Sequence, residues 1–389
     1  MSSKYDYVKV KVLLGDGRGG GTATPPVALT DGGTPPNVEE KLAVLPPPHG
    51  SEHYYILSRF LLTRMLTFSR IPAPIAARIA LDLKKHLVDA GRLELSQAAL
   101  EEQLFAVLHQ YHYGLQYQRH FSSMTTFYQR RIPLLVFICG TGCTGKTTSA
   151  SQLGALLNNH NVMSTDSLND MSRAIRGLAP QDPLWFQEDE DEDSGAENDR
   201  VDEGNQEAKA GIVSDWKQRC AETVAALEGD IKKALSEGKV LIAEGSTLQP
   251  SLCGKWFDVA EQVGAIALGF HLFLPPSPDA TILLEQWLVP HSHLLSHLSL
   301  PQQSSLVSRR CRAIDDAIRC DLDGLKREKK RVASHFHSLE FQPSASAGAQ
   351  WSDGKEAFSD EEDDKVSAVG KMHNLILEEI VEHLKQRRK

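Results

Sequence analysis

Alternating apolar and basic positions from Tyr7 to Leu13 (Val8, Lys9, Val10, Lys11, Val12) predict a short strand with one buried face. Residues 15–50 break that pattern. They are crowded with Gly, Pro and Thr, including Gly19-Gly20-Gly21 and Pro46-Pro47-Pro48, and hold too little apolar surface to order themselves. Helical periodicity begins at about His53. A second helix is expected from near Pro74, where Ile75, Ile79, Leu83 and Leu87 recur every four residues and Gly91 stands at the C-terminal end. A third is expected from Gln97 to Leu108. Residues 51–130 thus predict a small, mainly helical domain, with Tyr111 to Arg131 as a joining segment.

From Leu134 onward, strand and helix signals alternate, the pattern of a parallel sheet with helices on both faces. Expected strands are Leu134 to Cys139, Asn161 to Ser164, Lys239 to Ala243, Ala265 to Leu274 and, fifth, Val332 to Phe341. Thr148 to Asn159 reads as a helix. So does Val213 to Glu237, with Trp216, Val224, Leu227, Ile231 and Leu235 on one face. Met372 to Lys385 closes the chain as an amphipathic helix with Ile376, Ile380 and Leu384 in register. The expected fold class is α/β: a three-layer kinase-type domain over 131–345, interrupted by an acidic insertion at 187–209. An acidic linker at 346–366 and the helix within 367–389 follow.

Charge sharpens this division. The 389 residues carry a formal net charge of −9, but Glu188 to Glu203 alone holds ten acidic residues and one arginine. Ser352 to Lys365 adds seven acids against two lysines, so the rest of the chain is slightly basic. Acidity therefore describes linkers and does not exclude an anionic substrate. The six cysteines form no CxxC pair, which suits a reducing compartment. No apolar run approaches the ~20 residues of a membrane span, and a signal-peptide core is missing at the N-terminus. A cytoplasmic location without membrane contact is expected, a nuclear one being left open by Lys385-Gln-Arg-Arg-Lys389, which equally suits a helix C-terminus. A basic face with interleaved aromatics is lacking, so no nucleic-acid partner is expected.

The strongest chemical signal is Gly140-Thr141-Gly142-Cys143-Thr144-Gly145-Lys146-Thr147-Thr148, a complete phosphate-binding loop between a strand and a helix. Its glycines let successive backbone N–H groups turn inward around phosphates. Lys146 reaches the β- and γ-phosphates, Thr147 offers a hydroxyl to Mg²⁺, and the helix N-terminus faces the anion. ATP and Mg²⁺ are the expected cofactors.

The order of features resembles the archaeal 2-phosphoglycerate kinases and the plant proteins named for the low-phytic-acid phenotype. Leu57 to Leu61 through Ile79 to Leu83 is similar to an N-terminal ATP-cone, with Gly15-Asp16-Gly17-Arg18 similar to its opening. Phe137 to Thr147 resembles the plant form of the phosphate loop, Thr165-Asp166-Ser167 the Thr-Asp-Ser after the second strand, and Glu244-Gly245, Leu248 and Pro250 a Glu-Gly-Val-His-Leu-x-Pro motif. Two positions depart from it. Thr247 stands where that motif has histidine, and Asn169 where the family has arginine. No arginine occurs between Arg219 and Arg309, so an arginine-rich lid near Gln286 to Leu300 is missing.

By position and resemblance, Lys146, Asp166 and Glu244 are the catalytic candidates, with Thr147 and Asp166 as metal ligands. Asp166 also fits an N-cap for a helix from Ser167. Arg173 and Arg176 are candidates to grip an anionic acceptor, and Arg309, Arg310 and Arg312 to replace the lid arginines. His291, His293 and His297 lack the cysteine or acidic neighbours of a zinc site. The expected activity is transfer of the ATP γ-phosphoryl group to a small anionic, phosphorylated acceptor, which the resemblance makes 2-phosphoglycerate or a metabolite of inositol-phosphate synthesis. The competing reading is a nucleotide-binding regulator without acceptor chemistry.

Overall fold

A computed structural model describes residues 8–13, 54–159, 162–179, 183–186, 201–341 and 367–387, with 201–208 described by their backbone alone. The chain divides into two compact units, Met1–Thr126 and Phe127–Lys389.

In the first unit, β1 (Lys11–Leu13) pairs antiparallel with β2 (Tyr54–Ile56) and parallel with β3 (Glu94–Ser96). Three helices accompany this sheet: α1 (Arg59–Phe68), α2 (Ala73–Asp89) and α3 (Gln97–Gln110). Their shared core includes Val10, Val12, Leu66, Ile79, Leu83, Leu87, Leu104 and Leu108. Ser58 and Ser96 cap α1 and α3 by accepting from the backbone N–H three residues on. The expected helix from His53 is therefore corrected: 54–56 is a strand, and helix begins only after the Ser58 cap. The segment expected to join the domains is largely helix α4 (Leu115–Gln129). Its spaced Phe121, Met124 and Phe127 are buried, a helical period hidden among polar residues.

The second unit is built on five parallel strands: β4 (Leu134–Gly140), β5 (Val162–Ser164), β6 (Val240–Gly245), β7 (Ile266–Phe273) and β8 (Phe336–Glu340). Their order is β5-β6-β4-β7-β8. Every residue of β4 is buried, as a near-continuous apolar run in the middle of a parallel sheet requires. Helix α5 (Lys146–Leu156) and the terminal α11 (Ala368–Gln386) pack on one face of the sheet. The other face carries α7 (Val201–Glu237), α8 (Pro250–Val263) and α10 (Leu300–Arg327), with α9 (Pro278–Leu288) packed against α10. Between them lies a core of Phe137, Trp216, Leu227, Ile231, Trp256, Phe257 and Ile318. This is the three-layer α/β arrangement of a P-loop kinase. The chain leaves β4 toward one edge and later crosses to the other, so the strands diverge at β4, where open α/β sheets place ligands.

Three expectations change. Helix α7 begins at Val201, inside the segment assigned to the acidic insertion; residues 187–200 and 342–366 lie outside the described ones. The fifth strand is shorter than expected, since Arg331–Ser334 forms a 3-10 turn before it. The 28-residue helix α10 was not anticipated, although its Val307, Ile314, Ile318, Leu322 and Leu325 are buried on one side. The basic tail has a structural contact: Arg387 Nη2 donates to the Gly264 carbonyl at 2.9 Å.

Helix α10 also ties down the start of α8. Pro250 opens α8, and its first free N–H, on Ser251, donates to Asp321 Oδ2 at 2.8 Å, while Gln249 Nε2 donates to Oδ1 at 2.9 Å. Asp321→Ala leaves that helix start without its acceptor. The expected loss is about 1 kcal/mol, as for other removed caps, seen as a fall in melting temperature of about 2–4 °C. An unchanged melting temperature would show that the contact contributes nothing.

Candidate active site

The site forms where β4, β5 and β6 end side by side. The chain turns out of β4 at Gly140 and re-enters helix at Lys146, with Gly145 as the N-cap in the left-handed conformation (φ 68°). A side chain at Gly145 would also strike the Phe341 ring, and one at Gly140 would lie 2.2 Å from the Leu272 carbonyl oxygen. Both positions therefore demand glycine. Lys146 is buried and donates to the Thr141 carbonyl, holding the ammonium against its own loop. Thr144 Oγ1 donates to the same carbonyl at 2.9 Å.

Glu244 is the last residue but one of β6, beside Ile138 of β4 and Ser164 of β5. It is only 2% exposed, and Thr147 Oγ1 donates to both its oxygens at 3.1 Å. Burial pushes its carboxyl above the ordinary range. Lys146 and the hydrogen bond from Thr147 act against that shift, while Asp166 adds to it. Asp166 itself lies in the first turn of α6 (Thr165–Ile175), whose N-cap is Ser164. The cap reading of Asp166 is thereby corrected. Its carboxylate instead faces β6, accepting from Ser246 Oγ at 3.0 Å. Lys146, Thr147, Asp166 and Glu244 are thus brought together at one sheet edge.

Beside Asp166 opens a pocket of about 210 Å³. Its polar side carries Asp166, Asn169, Asp170, Arg173, Arg219 and Glu222, and its apolar side Trp185, Phe186, Trp287 and His291. The two positions that depart from the family pattern touch: Asn169 Nδ2 donates to Thr247 Oγ1 at 3.2 Å. They belong to one buried network, in which Asn169 also donates to Thr223 Oγ1 (2.7 Å) and Thr247 to Thr165 Oγ1 (3.1 Å).

The candidate arginines separate. Arg173 lines the pocket and donates from Nε to the Ala179 carbonyl. Arg176 caps α6 and pairs with Glu222 at 3.1 Å. Arg310 is buried and donates to the Trp185 carbonyl at 3.2 Å, Arg312 donates to Ser308 of its own helix, and Arg309 is exposed. Helix α10 does reach the glycine loop, but through Cys311, which meets the Gly142 backbone and the Thr141 side chain; burial pushes its thiol up to about 12. Burial likewise pushes the loop thiol of Cys143 up to about 11. His291 stacks on Phe186 with ring centroids 5.5 Å apart and lies tilted against Trp287 at 5.1 Å.

Arg219, Thr223, Ser246 and the aromatic wall were not anticipated. Trp216, Arg219 and Thr223 recur at three- and four-residue spacing along α7, which places them on one helix face. That spacing was readable, but which side of the face met the site was not.

No family model matches the chain. It is 26% identical over 206 residues to a 2-phosphoglycerate kinase of Methanopyrus kandleri, a stretch covering 53% of this chain and 60% of that protein. Similarity at the same identity extends over 205 residues to the 2-phosphoglycerate kinase of Methanocaldococcus jannaschii (52% of this chain, 62% of that one). It extends over 118 residues to that of Pyrococcus horikoshii (30% and 39%). The matches span about 60% of the length of the first two relatives. Over about half its length, then, the chain has weak homology to archaeal 2-phosphoglycerate kinases.

Proposed function

We propose that the protein is a P-loop kinase that transfers the γ-phosphoryl group of ATP to a small phosphorylated metabolite. One observation carries this reading: a buried carboxylate, Glu244, is hydrogen-bonded to the hydroxyl of Thr147 directly after the glycine loop, beside Lys146 and Asp166. The relatives' name supports the reaction class and makes 2-phosphoglycerate the first acceptor to test. The resemblance adds metabolites of inositol-phosphate synthesis, and an ATP-cone-like role for residues 51–130.

The loop suits a triphosphate because Gly140 and Gly145 permit a turn that a Cβ would block against Leu272 and Phe341, and α5 turns its positive end toward the anion. Lys146, now turned onto the Thr141 carbonyl, is long enough to swing to the β- and γ-oxygens. Thr147, Asp166 and Glu244 are hard oxygen donors of the kind Mg²⁺ takes, and the bound ion would neutralise charge between those phosphates. Asp166 takes the acceptor's hydroxyl proton, and Ser246 holds its carboxylate in place. The competing regulator reading keeps the nucleotide site and lacks transfer.

Three measurements test this. Lys146→Ala should leave the fold intact and lower transfer by at least about 10²-fold, the scale for losing a positioned charge-stabilising group. ATP turnover near the wild-type rate would show that the loop is not the reaction centre. Asp166→Asn and Glu244→Gln should each lower single-turnover transfer by about two to four orders of magnitude while keeping most ATP affinity. Unchanged turnover in both favours the regulator.

Stability against pH gives an independent check on Glu244. Its carboxyl is raised in the folded state, so the fold disfavours the charged form. Stability is therefore lost as pH rises from the ordinary carboxyl range through the raised value. Glu244→Gln removes that penalty. The variant should melt above the wild type at pH 7, and the gap should close as the pH falls to the ordinary carboxyl range. A gap that widens on acidification would mean the carboxylate is stabilised by its surroundings.

A further inference from the structure

Between strand β7 and helix α10 lies a buried polar pair that the proposed reaction does not use. His271 is fully buried, and its Nε2 meets Asp315 Oδ1 of α10 at 2.9 Å. Arg319, one turn further along α10, donates from Nε to the other carboxylate oxygen at 2.7 Å. Burial raises the Asp315 carboxyl, but these two donors outweigh it and hold the group below the ordinary carboxylate range. With a carboxylate at Nε2, that nitrogen carries the proton whether the ring is neutral or charged, and Nδ1 faces the Ser338 hydroxyl of β8 at 3.4 Å. The ring is therefore fixed in direction as well as in place. A second rung repeats the contact: Arg319 lies over the ring of Phe273, two residues on along the same face of β7, at 4.4 Å from its centroid.

These two elements flank the glycine loop. On the β7 side, His271 pairs in register with Cys139 and Leu272 with Gly140, where the Leu272 carbonyl leaves no room for a Cβ. On the α10 side, Cys311, one turn before Asp315, meets the Gly142 backbone and the Thr141 side chain. Its neighbour Arg310 holds the carbonyl of Trp185, whose ring lies against Gly142. The loop is thus held from two sides, and the bond from His271 to Asp315 joins those sides to each other.

We infer that His271 and Asp315 are positioning residues for the nucleotide: their bond sets α10 against β7 and so keeps residues 141–145 in the shape that receives the phosphates. Neither touches the nucleotide. This rests on the nucleotide-binding part of the kinase reading above. An apolar pair of similar volume would fill the same space without desolvating polar groups, but it could slide, whereas a buried hydrogen bond has one register. Register matters here because successive backbone N–H groups must aim at one anion, and a loop that drifts loses several of those bonds together.

The test is MgATP binding by calorimetry, with transfer to 2-phosphoglycerate measured alongside, at a temperature where circular dichroism shows each variant folded. His271→Leu and Asp315→Ala should each weaken MgATP binding at least about tenfold. His271→Gln, whose amide nitrogen stands near the Nε2 position and donates to Asp315, should stay within about threefold of the wild type. Asp321→Ala, which loosens α10 from the start of α8 at a distance from the loop, is the control for a merely structural role: it should lower the melting temperature and leave MgATP affinity unchanged. Asp315 is 19% exposed on the flank of a long helix, so Asp315→Ala should fold even if His271→Leu does not. MgATP affinity within about twofold of the wild type in Asp315→Ala overturns the inference, as does a His271→Gln as weak as His271→Leu, or an equal loss in Asp321→Ala. If the wild type binds MgATP and phosphorylates no acceptor, the kinase reading fails while these affinities still decide the positioning role. A wild type that binds no MgATP overturns both.

Discussion

The structure turns on a carboxylate held nearly out of water. Glu244 keeps its place because β4, β5 and β6 end in register, so that Ile138 and Ser164 flank it and Thr147 arrives from the next turn of the loop. A group placed this way is unfavourable for folding and useful for chemistry. It lies where a cation would relieve its desolvation, and the exposed Thr147 above it is the natural point of entry. The glycines of the loop serve the same end, since a Cβ at Gly145 or Gly140 would collide with Phe341 or with the β7 backbone.

A second constraint joins the loop to the pocket. Trp185 and Trp287 pack against Gly142, Arg310 holds the Trp185 carbonyl, and Cys311 meets the loop backbone, so three distant stretches meet on one short turn. Arg310 of α10 thus shapes the pocket wall through a carbonyl. The pair Asn169 and Thr247 shows the same economy: the two departures from the family pattern form one contact within one hydroxyl network.

Much of this was legible along the chain. Strand, loop and helix around Lys146 followed from local rules: a buried apolar run, glycines at fixed spacing, and a helix start that needs no distant partner. The long strands were readable because parallel strands in a covered sheet are apolar throughout. Strands β2 and β3 were not, because they form only where β1 offers its edges. Helix α10 was missed because its polar outer residues hide a stripe that only packing against α7 and α8 makes necessary.

By itself, then, the order of residues determined the chemical inventory: a phosphate loop, two carboxylates after strands, and arginines nearby. Tertiary structure alone decided their use. It gave the helix cap to Ser164 and set Asp166 on Ser246, set Arg176 on Glu222, brought Arg219 into the pocket, and raised an aromatic wall from residues a hundred positions apart. The reason is physical. Backbone conformation answers to neighbours in sequence, whereas burial, charge pairing and the shape of a cavity answer to neighbours in space.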